Sequence, residues 1–164
     1  MYCYCLFCET IKCPRIARDV ESLYGIRAIS PVQVQHTWSK GRMVDIEHSL
    51  LPGYIFLYSE QKLDNLKQML RFVDGVIRPL SGNNGYELGG SDEQFALMLL
   101  SKDGVIGRTN VYTKGQTVRI CEGAFENTMV DILKVDHRNH RIQIQMRFAD
   151  QIIKTWVNYE MVED

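Results

Sequence analysis

The sequence lacks an excess of charge of either sign. Its 164 residues include 19 lysines and arginines against 20 aspartates and glutamates, and the formal net charge is −1 at pH 7. No global field therefore attracts the chain to nucleic acid, and any such contact has to come from local patches. The apolar content of 45% and the charged content of 24% are those of an ordinary globular protein.

Long apolar runs and an export signal are also missing. No stretch approaches the roughly 20 apolar residues of a membrane-spanning helix, so we expect no membrane association. The start MYCYCLFCETIKC has neither a basic region before its apolar run nor a small-residue cleavage site. Of five cysteines, four lie in the first thirteen residues, and an odd, clustered number favours a reducing compartment. We therefore expect a cytoplasmic protein.

No pattern of catalytic or metal-binding residues stands out. Cys5 and Cys8 form a C-x-x-C, but no second pair exists, and positions three apart on a strand face opposite sides. We expect Cys3, Cys5 and Cys8 to be small buried residues. The four histidines lie in predicted hairpins or loops without a nucleophile-elbow sequence, and there is no glycine-rich phosphate loop. The sequence predicts a protein that is not an enzyme and has no metal site or cofactor.

Strand and helix patterns alternate through the first hundred residues, whereas only strand patterns follow. Residues 1–102 are expected to form an antiparallel α/β sandwich, 103–110 (DGVIGRTN) a linker, and 111–164 a small five-stranded β-barrel, an α+β protein overall. The expected elements of the first part are a strand at 2–8, a helix at 14–24, a strand at 26–35, a hairpin at 37–46, a strand at 54–58, a helix through 63–73, a short strand from 75, a loop at 81–90 and a helix opened by a Ser91–Gln94 capping box.

The segment LLPGYIFLY (50–58) contains a strand without a polar face. Alternation places Tyr54, Phe56 and Tyr58 on one side and Ile55 and Leu57 on the other, so something must cover both sides. A helix of the same domain could cover the aromatic side. Alternatively, this side is an open docking surface, since exposed apolar patches usually mark interaction sites.

Two motifs resemble those of the NusG family of bacterial transcription elongation factors. LLPGYIFLY is similar to the PGY motif of that family's N-terminal (NGN) domain. GQTVRICEGAF (115–125) resembles the opening of its C-terminal KOW domain, and residues 157–163 resemble the closing strand of that domain. The resemblance covers nearly the whole chain and implies an NGN sandwich followed by an SH3-like KOW barrel.

Several positions depart from the common NusG pattern. The first strand begins Cys3-Tyr4 instead of Trp-Tyr, Val130 replaces the KOW glycine, and Thr128 replaces a loop aromatic. EGAFE (122–126) is closer to specialised paralogues of the RfaH type, and LoaP-type antiterminators are another candidate subgroup. The resemblance therefore implies an antitermination factor that acts on selected operons.

The resemblance also implies a docking partner for the aromatic side of the PGY strand. In such proteins this side receives the clamp helices of the β′ subunit of bacterial RNA polymerase, and docking promotes processive transcription. Carried over by motif, the polymerase-binding residues are Leu51, Tyr54, Phe56 and Tyr58. We expect a monomer that acts through this contact.

Basic residues crowd the first predicted helix. In RfaH-like proteins this helix binds non-template DNA, which makes Lys12, Arg15 and Arg18 candidate nucleic-acid-binding residues. Glu9 and Asp19 stand where those proteins carry basic side chains, so the DNA element read would differ. A solvated helix face is the alternative.

The second basic cluster, DHRNHR (136–141), is predicted to be a hairpin tip. Arg138 and Arg141 could contact nascent RNA, or the tip could be a solvated turn. The KOW-like part is expected to recruit NusE, Rho or RNA, although Thr128 weakens the first two. The alternative function is a ribosome- or RNA-binding KOW module that never contacts polymerase.

Overall fold

The computed structural model of the chain describes residues 1–82, 85–107, 109–114, 117–126 and 128–161. Its strands are β1 (Tyr2–Cys8), β2 (Arg27–Ile29), β3 (Val32–Ser39), β4 (Arg42–Ser49), β5 (Tyr54–Ser59), β6 (Val76–Pro79), β7 (Val105–Ile106), β8 (Thr109–Lys114), β9 (Thr117–Glu122), β10 (Val130–Asp136), β11 (Arg141–Phe148) and β12 (Gln151–Met161). Its helices are α1 (Cys13–Tyr24), α2 (Leu66–Met69) and α3 (Gly90–Ser101), with 3₁₀ turns at Thr10–Lys12 and Leu70–Phe72. The fold is mixed α+β, as predicted.

An antiparallel N-terminal sheet has the strand order β2-β5-β1-β6. α1 covers one face of this sheet with a stripe of Ile16, Ala17 and Val20, all buried. Pro14 lies in the first turn of α1, and Gly25 ends the helix in the left-handed conformation, at φ 66°. The helix is thus bounded by the residues that the sequence indicated and is held by burial of its apolar stripe.

Some elements differ from their predicted form. The strand expected at 26–35 is broken into β2 and β3 before Pro31, which has no backbone N–H to donate to a ladder. The helix expected through 63–73 is only one α turn followed by a 3₁₀ turn. The predicted capping box is wrong: α3 begins at Gly90, no side chain caps it, and Ser91 lies inside its first turn. That turn instead carries two carboxylates, which suit the positive end of the helix dipole.

A second sheet, of order β4-β3-β7, contains the predicted hairpin. Lys40 and Gly41 form its turn with φ of 52° and 78°, both in the left-handed region that two-residue hairpins require. β7 pairs in parallel with the start of β3 and lies in the segment predicted as a linker, so that segment contributes to a sheet.

The C-terminal sheet contains β8–β12 in the order β10-β11-β12-β8-β9. Residues 137–140 form the turn between β10 and β11, where the sequence indicated a hairpin tip. Parts of several predicted segments lie outside the described residues: 83–84 of the loop, 108 of the linker, 115–116 of the motif at 115–125, and 162–163 of the closing strand. No helix in the described ranges is both long and apolar enough to cross a bilayer.

Gly104 provides a test of how closely the second sheet fits against the first. Its φ is +74°, and an added Cβ would overlap the Cγ2 methyl of buried Ile29. Gly25 has a similar φ of +66°, but nothing lies within 4 Å of an added Cβ. We predict that Gly25→Ala costs about 1 kcal/mol through backbone strain alone. Gly104→Ala should cost a further ~1–3 kcal/mol through overpacking.

Urea unfolding of both variants beside the wild type measures the difference. Equal losses of stability for the two substitutions would contradict the contact between Gly104 and Ile29.

Candidate functional site

The four predicted polymerase-binding residues lie together on the side of the N-terminal sheet away from α1; we call them the aromatic face. Leu51, Tyr54, Phe56 and Tyr58 expose 1%, 7%, 0% and 2% of their surface. The neighbours Ile55 and Leu57 point to the α1 side, which confirms the predicted alternation. The aromatic face is therefore fully covered within this chain.

α3 provides the first part of this cover. The Phe95 ring lies 6.1 Å from the Phe56 ring, and the Tyr58 hydroxyl donates a 2.5 Å hydrogen bond to the carbonyl of Ala96. Burial raises the pKa of Tyr58, so this hydroxyl stays protonated and able to donate. The sequence left open whether a helix covers the aromatic side or whether this side is an open docking surface. In the structure a helix, α3, covers part of it.

The C-terminal sheet provides the rest of the cover. The ring of Phe148 meets that of Phe56 edge-on at 5.5 Å and lies 5.8 Å from that of Phe95. Phe125 stacks on Phe95 at 5.6 Å. These rings join the aromatic face, α3 and the apolar side of the C-terminal sheet into one core. Edge-to-face pairs of this kind add to the free energy of simple area burial.

Three hydrogen bonds fix β12 against β3 and against Leu50, the residue that follows β4. The side-chain amide of Gln33 donates to the carbonyl of Trp156 at 2.9 Å and accepts from the N–H of Asn158 at 3.0 Å. The hydroxyl of Thr155 donates to the carbonyl of Leu50 at 2.7 Å. Gln33 is only 2% exposed, and buried backbone groups need hydrogen-bond partners. Its side-chain amide therefore bonds the backbone of Trp156 and Asn158 as a neighbouring strand would.

Two carboxylates link the periphery of the same interface. Arg78 donates to both carboxylate oxygens of Asp150, at 2.7 and 3.3 Å. Burial alone would raise the pKa of Asp150, but hydrogen bonds from Arg78 and the Ser81 backbone outweigh it and lower this pKa. The Asp150 contact therefore stabilises the interface at neutral pH and is lost as the pH falls through that lowered pKa. Asp92 of α3 accepts a 3.0 Å hydrogen bond from the N–H of Ala149.

Sequence reasoning missed the residues that close this interface. Gln33, Arg78, Phe148 and Asp150 carry no local signal, since each resembles an ordinary strand or turn residue in its own segment. Phe125 lies in EGAFE, which the sequence analysis noted only for its resemblance to specialised paralogues. Their common property is contact across a large sequence separation, such as the 72 residues between Arg78 and Asp150.

The predicted nucleic-acid-binding residues of α1 are grouped with acids. Lys12 lies 2.7 Å from Glu9 and 3.3 Å from Asp74, and Arg15 lies 3.1 Å from Asp74. The hydrogen bonds from Lys12 and then Arg15 lower the pKa of Asp74. Arg18 is exposed one turn further along. A nucleic acid here would have to compete with Asp74 for both cations.

The predicted residues of the 136–141 turn behave differently from one another. Arg138 is exposed, whereas Arg141 is half-buried with its guanidinium 5.6 Å from the ring centre of Trp156. His137 Nδ1 lies 3.2 Å from the Tyr159 hydroxyl. This turn is therefore held to β12 by ring contacts, and Arg138 is its exposed cation.

The cysteines are packed where the sequence placed them. Cys3, Cys5 and Cys8 are at most 1% exposed, and Cys5 and Cys8 lie in the cores on opposite sides of the sheet. Burial raises the pKa of Cys3 to about 11. Among the residues that the structure describes, no group of three or more histidine, cysteine or acidic side chains could hold a metal ion.

Comparison with known proteins identifies the architecture. No protein-family model matches the chain, and no curated protein matches it by sequence. A solved structure described as "Domain interaction in Thermotoga maritima NusG" matches with a TM-score of 0.54 and 15% identity, over 96% of this chain and 93% of that chain. The chain has a NusG-like fold. The resemblance predicted from the two motifs is thereby confirmed at the level of the fold.

Gln33 allows the closed arrangement of this NusG-like fold to be tested. Gln33→Leu keeps the volume of the side chain but leaves a buried carbonyl on Trp156 and a buried N–H on Asn158 without partners. We predict a loss of ~1–3 kcal/mol in the free energy of unfolding, measured by urea denaturation.

Gln35→Leu is the matched control, because Gln35 lies two residues along β3, is less buried than Gln33, and has its side-chain oxygen 3.1 Å from Nε2 of the exposed His48. This variant should lose less than ~0.5 kcal/mol. Indistinguishable midpoints for the two variants would show that Gln33 does not hold β12.

Proposed function

We propose that this protein is a non-enzymatic, cytoplasmic transcription elongation and antitermination factor that docks on bacterial RNA polymerase. The aromatic face carries this proposal, because its residues match the PGY motif and lie in a NusG-like fold. β1, β2, β5 and β6 with α1–α3 would be an NGN-like domain, and β8–β12 a KOW-like barrel. The similarity of EGAFE to specialised paralogues supports action on selected operons.

The β′ clamp helices of polymerase would bind the aromatic face at Leu51, Tyr54, Phe56 and Tyr58. Large aromatic side chains carry much of the binding free energy in protein interfaces. In the closed chain, however, Phe56 has no exposed surface and meets Phe148. Docking therefore requires release of the C-terminal sheet from Phe56 and, at Tyr58, displacement of α3 as well, so polymerase competes with both for the same atoms.

This competition sets the apparent affinity for polymerase. Only the open fraction of the protein can bind, so each tenfold excess of the closed form weakens apparent binding about tenfold. A signal that releases the C-terminal sheet would raise the affinity without changing the docking residues. The freed C-terminal part could then recruit NusE, Rho or RNA, with Arg138 available to contact nascent RNA.

The affinity of Phe148→Ala for core RNA polymerase tests both the aromatic face as docking site and the C-terminal sheet as its cover. Removing this ring should destabilise the closed form by ~3 kcal/mol and, up to full opening, strengthen binding by tenfold or more. Ile152→Ala, in the same sheet but 58% exposed, is the matched control and should bind like the wild type. Adding Tyr54→Ala to Phe148→Ala should remove the gain. Affinities are measured by biolayer interferometry on immobilised polymerase.

Two outcomes would contradict the proposal. If folded Phe148→Ala bound polymerase with unchanged affinity, the C-terminal sheet would not be what blocks docking. If Phe148→Ala with Tyr54→Ala still bound strongly, the aromatic face would not be the docking site. Arg78→Asp, which breaks a peripheral contact without emptying the core, serves if the first variant unfolds. No polymerase binding by any opened variant, together with RNA binding, would favour the KOW-module alternative.

A further inference from the structure

Two cysteines meet where β1 leads into α1. Cys8 is the last residue of β1 and Cys13 is the first residue of α1, and the 3₁₀ turn at Thr10–Lys12 connects them. Both are free thiols in the core on the α1 side of the sheet, and their side chains share a hydrogen bond. Two thiols in hydrogen-bond contact are close enough to form a disulfide with a small movement of their side chains.

The sulfur of Cys13 is surrounded by groups that stabilise its thiolate. It accepts a hydrogen bond from the S–H of Cys8 and another from the backbone N–H of Gly53. It also lies in the first turn of α1, where the positive end of the helix dipole favours an anion. The hydrogen bond from Cys8, helped by that from Gly53, outweighs burial and lowers the pKa of Cys13. Because the thiolate is the nucleophilic form of cysteine, Cys13 is the thiol expected to react.

Cys8 has the complementary role in this pair. The hydrogen bond to Cys13 and burial both raise the pKa of Cys8, so it keeps its proton when Cys13 is ionised. Cys3 and Cys5 belong to the core on the opposite side of the sheet, and burial raises their pKa values. Among the four cysteines whose side chains the structure describes, Cys13 is therefore the one whose pKa is lowered.

The pair is covered, but the turn that connects its two members is exposed. Cys13 is 4% exposed and Cys8 is 1% exposed, whereas Ile11 in the 3₁₀ turn is 95% exposed. Exposed turns with few buried contacts open more readily than core strands. A small oxidant can therefore reach Cys13 through local opening of this turn, while β1 and the rest of α1 stay in place.

We propose that Cys8 and Cys13 form a redox-active dithiol that hydrogen peroxide converts to a disulfide and that a small thiol reduces again. The Cys13 thiolate attacks one peroxide oxygen, the O–O bond breaks, and Cys13 becomes a sulfenic acid while the departing hydroxide takes a proton from solvent. The Cys8 sulfur then attacks the sulfenic sulfur, and the Cys8 proton leaves with the sulfenic hydroxyl as a second water. The two sulfurs lose two electrons, which the peroxide gains.

Such a disulfide suits a chain whose other described cysteines are buried free thiols. In a reducing compartment, the disulfides that do form are usually transient and redox-sensing. The pair lies on the side of the N-terminal sheet away from the aromatic face. The proposal does not rest on docking to polymerase.

Peptide mass spectrometry on the full-length chain identifies the product. Trypsin cleaves after Lys12 and Arg15, so a disulfide between Cys8 and Cys13 joins peptide 1–12 to peptide 13–15 until dithiothreitol separates them. After brief treatment of the folded protein with hydrogen peroxide and alkylation of the remaining thiols, we expect this joined pair with Cys3 and Cys5 alkylated. Cys8→Ala should leave a sulfenic acid on Cys13 that dimedone traps, because no second thiol resolves it. Cys13→Ala should slow the loss of thiols about tenfold or more.

Cys5→Ala is the matched control, because it removes another buried thiol of β1 from the opposite core. This variant should oxidise like the wild type. If a variant unfolds, the wild type alone decides: iodoacetamide should alkylate Cys13 at least about fivefold faster than Cys3 or Cys5 in the folded protein, and this preference should disappear in concentrated urea. A disulfide that uses Cys3 or Cys5, equal oxidation rates for the wild type and folded Cys13→Ala, or equal alkylation of the three cysteines in the folded protein would overturn the proposal.

Discussion

The burial of Phe56 is the constraint on which the other parts of the structure depend. β5 lies in the middle of the N-terminal sheet and has no polar residue on either face before Ser59, so both faces need an apolar partner. α1 covers the face that carries Ile55 and Leu57. The partner of the other face is assembled from α3 and the C-terminal sheet, whose Phe95 and Phe148 rings meet Phe56. The C-terminal sheet contributes no strand to the N-terminal sheet, so it can leave while the N-terminal sheet keeps its strands.

Apolar burial and polar contacts contribute differently to this closed arrangement. The aromatic rings supply most of the free energy, since burial of large apolar side chains is the main favourable term in folding. The hydrogen bonds of Gln33 and Thr155 contribute modestly but fix the register of β12, because a shifted strand would leave their buried groups unpaired. Only residues 107–108 separate β7 from β8, and a cover held on so short a connection acts at an effective concentration of the order of mM or above. An external partner must therefore bind the aromatic face with considerably more free energy than the C-terminal sheet does, unless a separate signal weakens the contact of that sheet.

Local patterns in the sequence predicted the elements and missed what joins them. The alternation of Tyr54 to Tyr58 was sufficient to assign the two faces of β5, and Gly25 and the Lys40-Gly41 pair marked a helix end and a hairpin turn. The Ser91 capping box failed because α3 already begins at Gly90, which places Ser91 inside the first turn and not at the N-cap. The basic helix illustrates the same limit: Lys12 meets Asp74 across 62 residues, and charge spacing along one helix contains no information about a partner on another segment. Periodicity reports the direction in which a side chain points, and only the tertiary fold decides what it meets.

β3 runs from the closed interface to the exposed hairpin turn at Lys40-Gly41, and its two ends differ in what holds them. At its base, Val32 pairs with β7 and Gln33 binds the backbone of β12, so this end can move only if the interface opens. At its tip, Trp38 is exposed with β12 still in place. A two-stranded ribbon bends and twists easily over this length, which makes it a poor transmitter of strain between its ends. The tip is therefore accessible in the closed form, whereas the aromatic face is not.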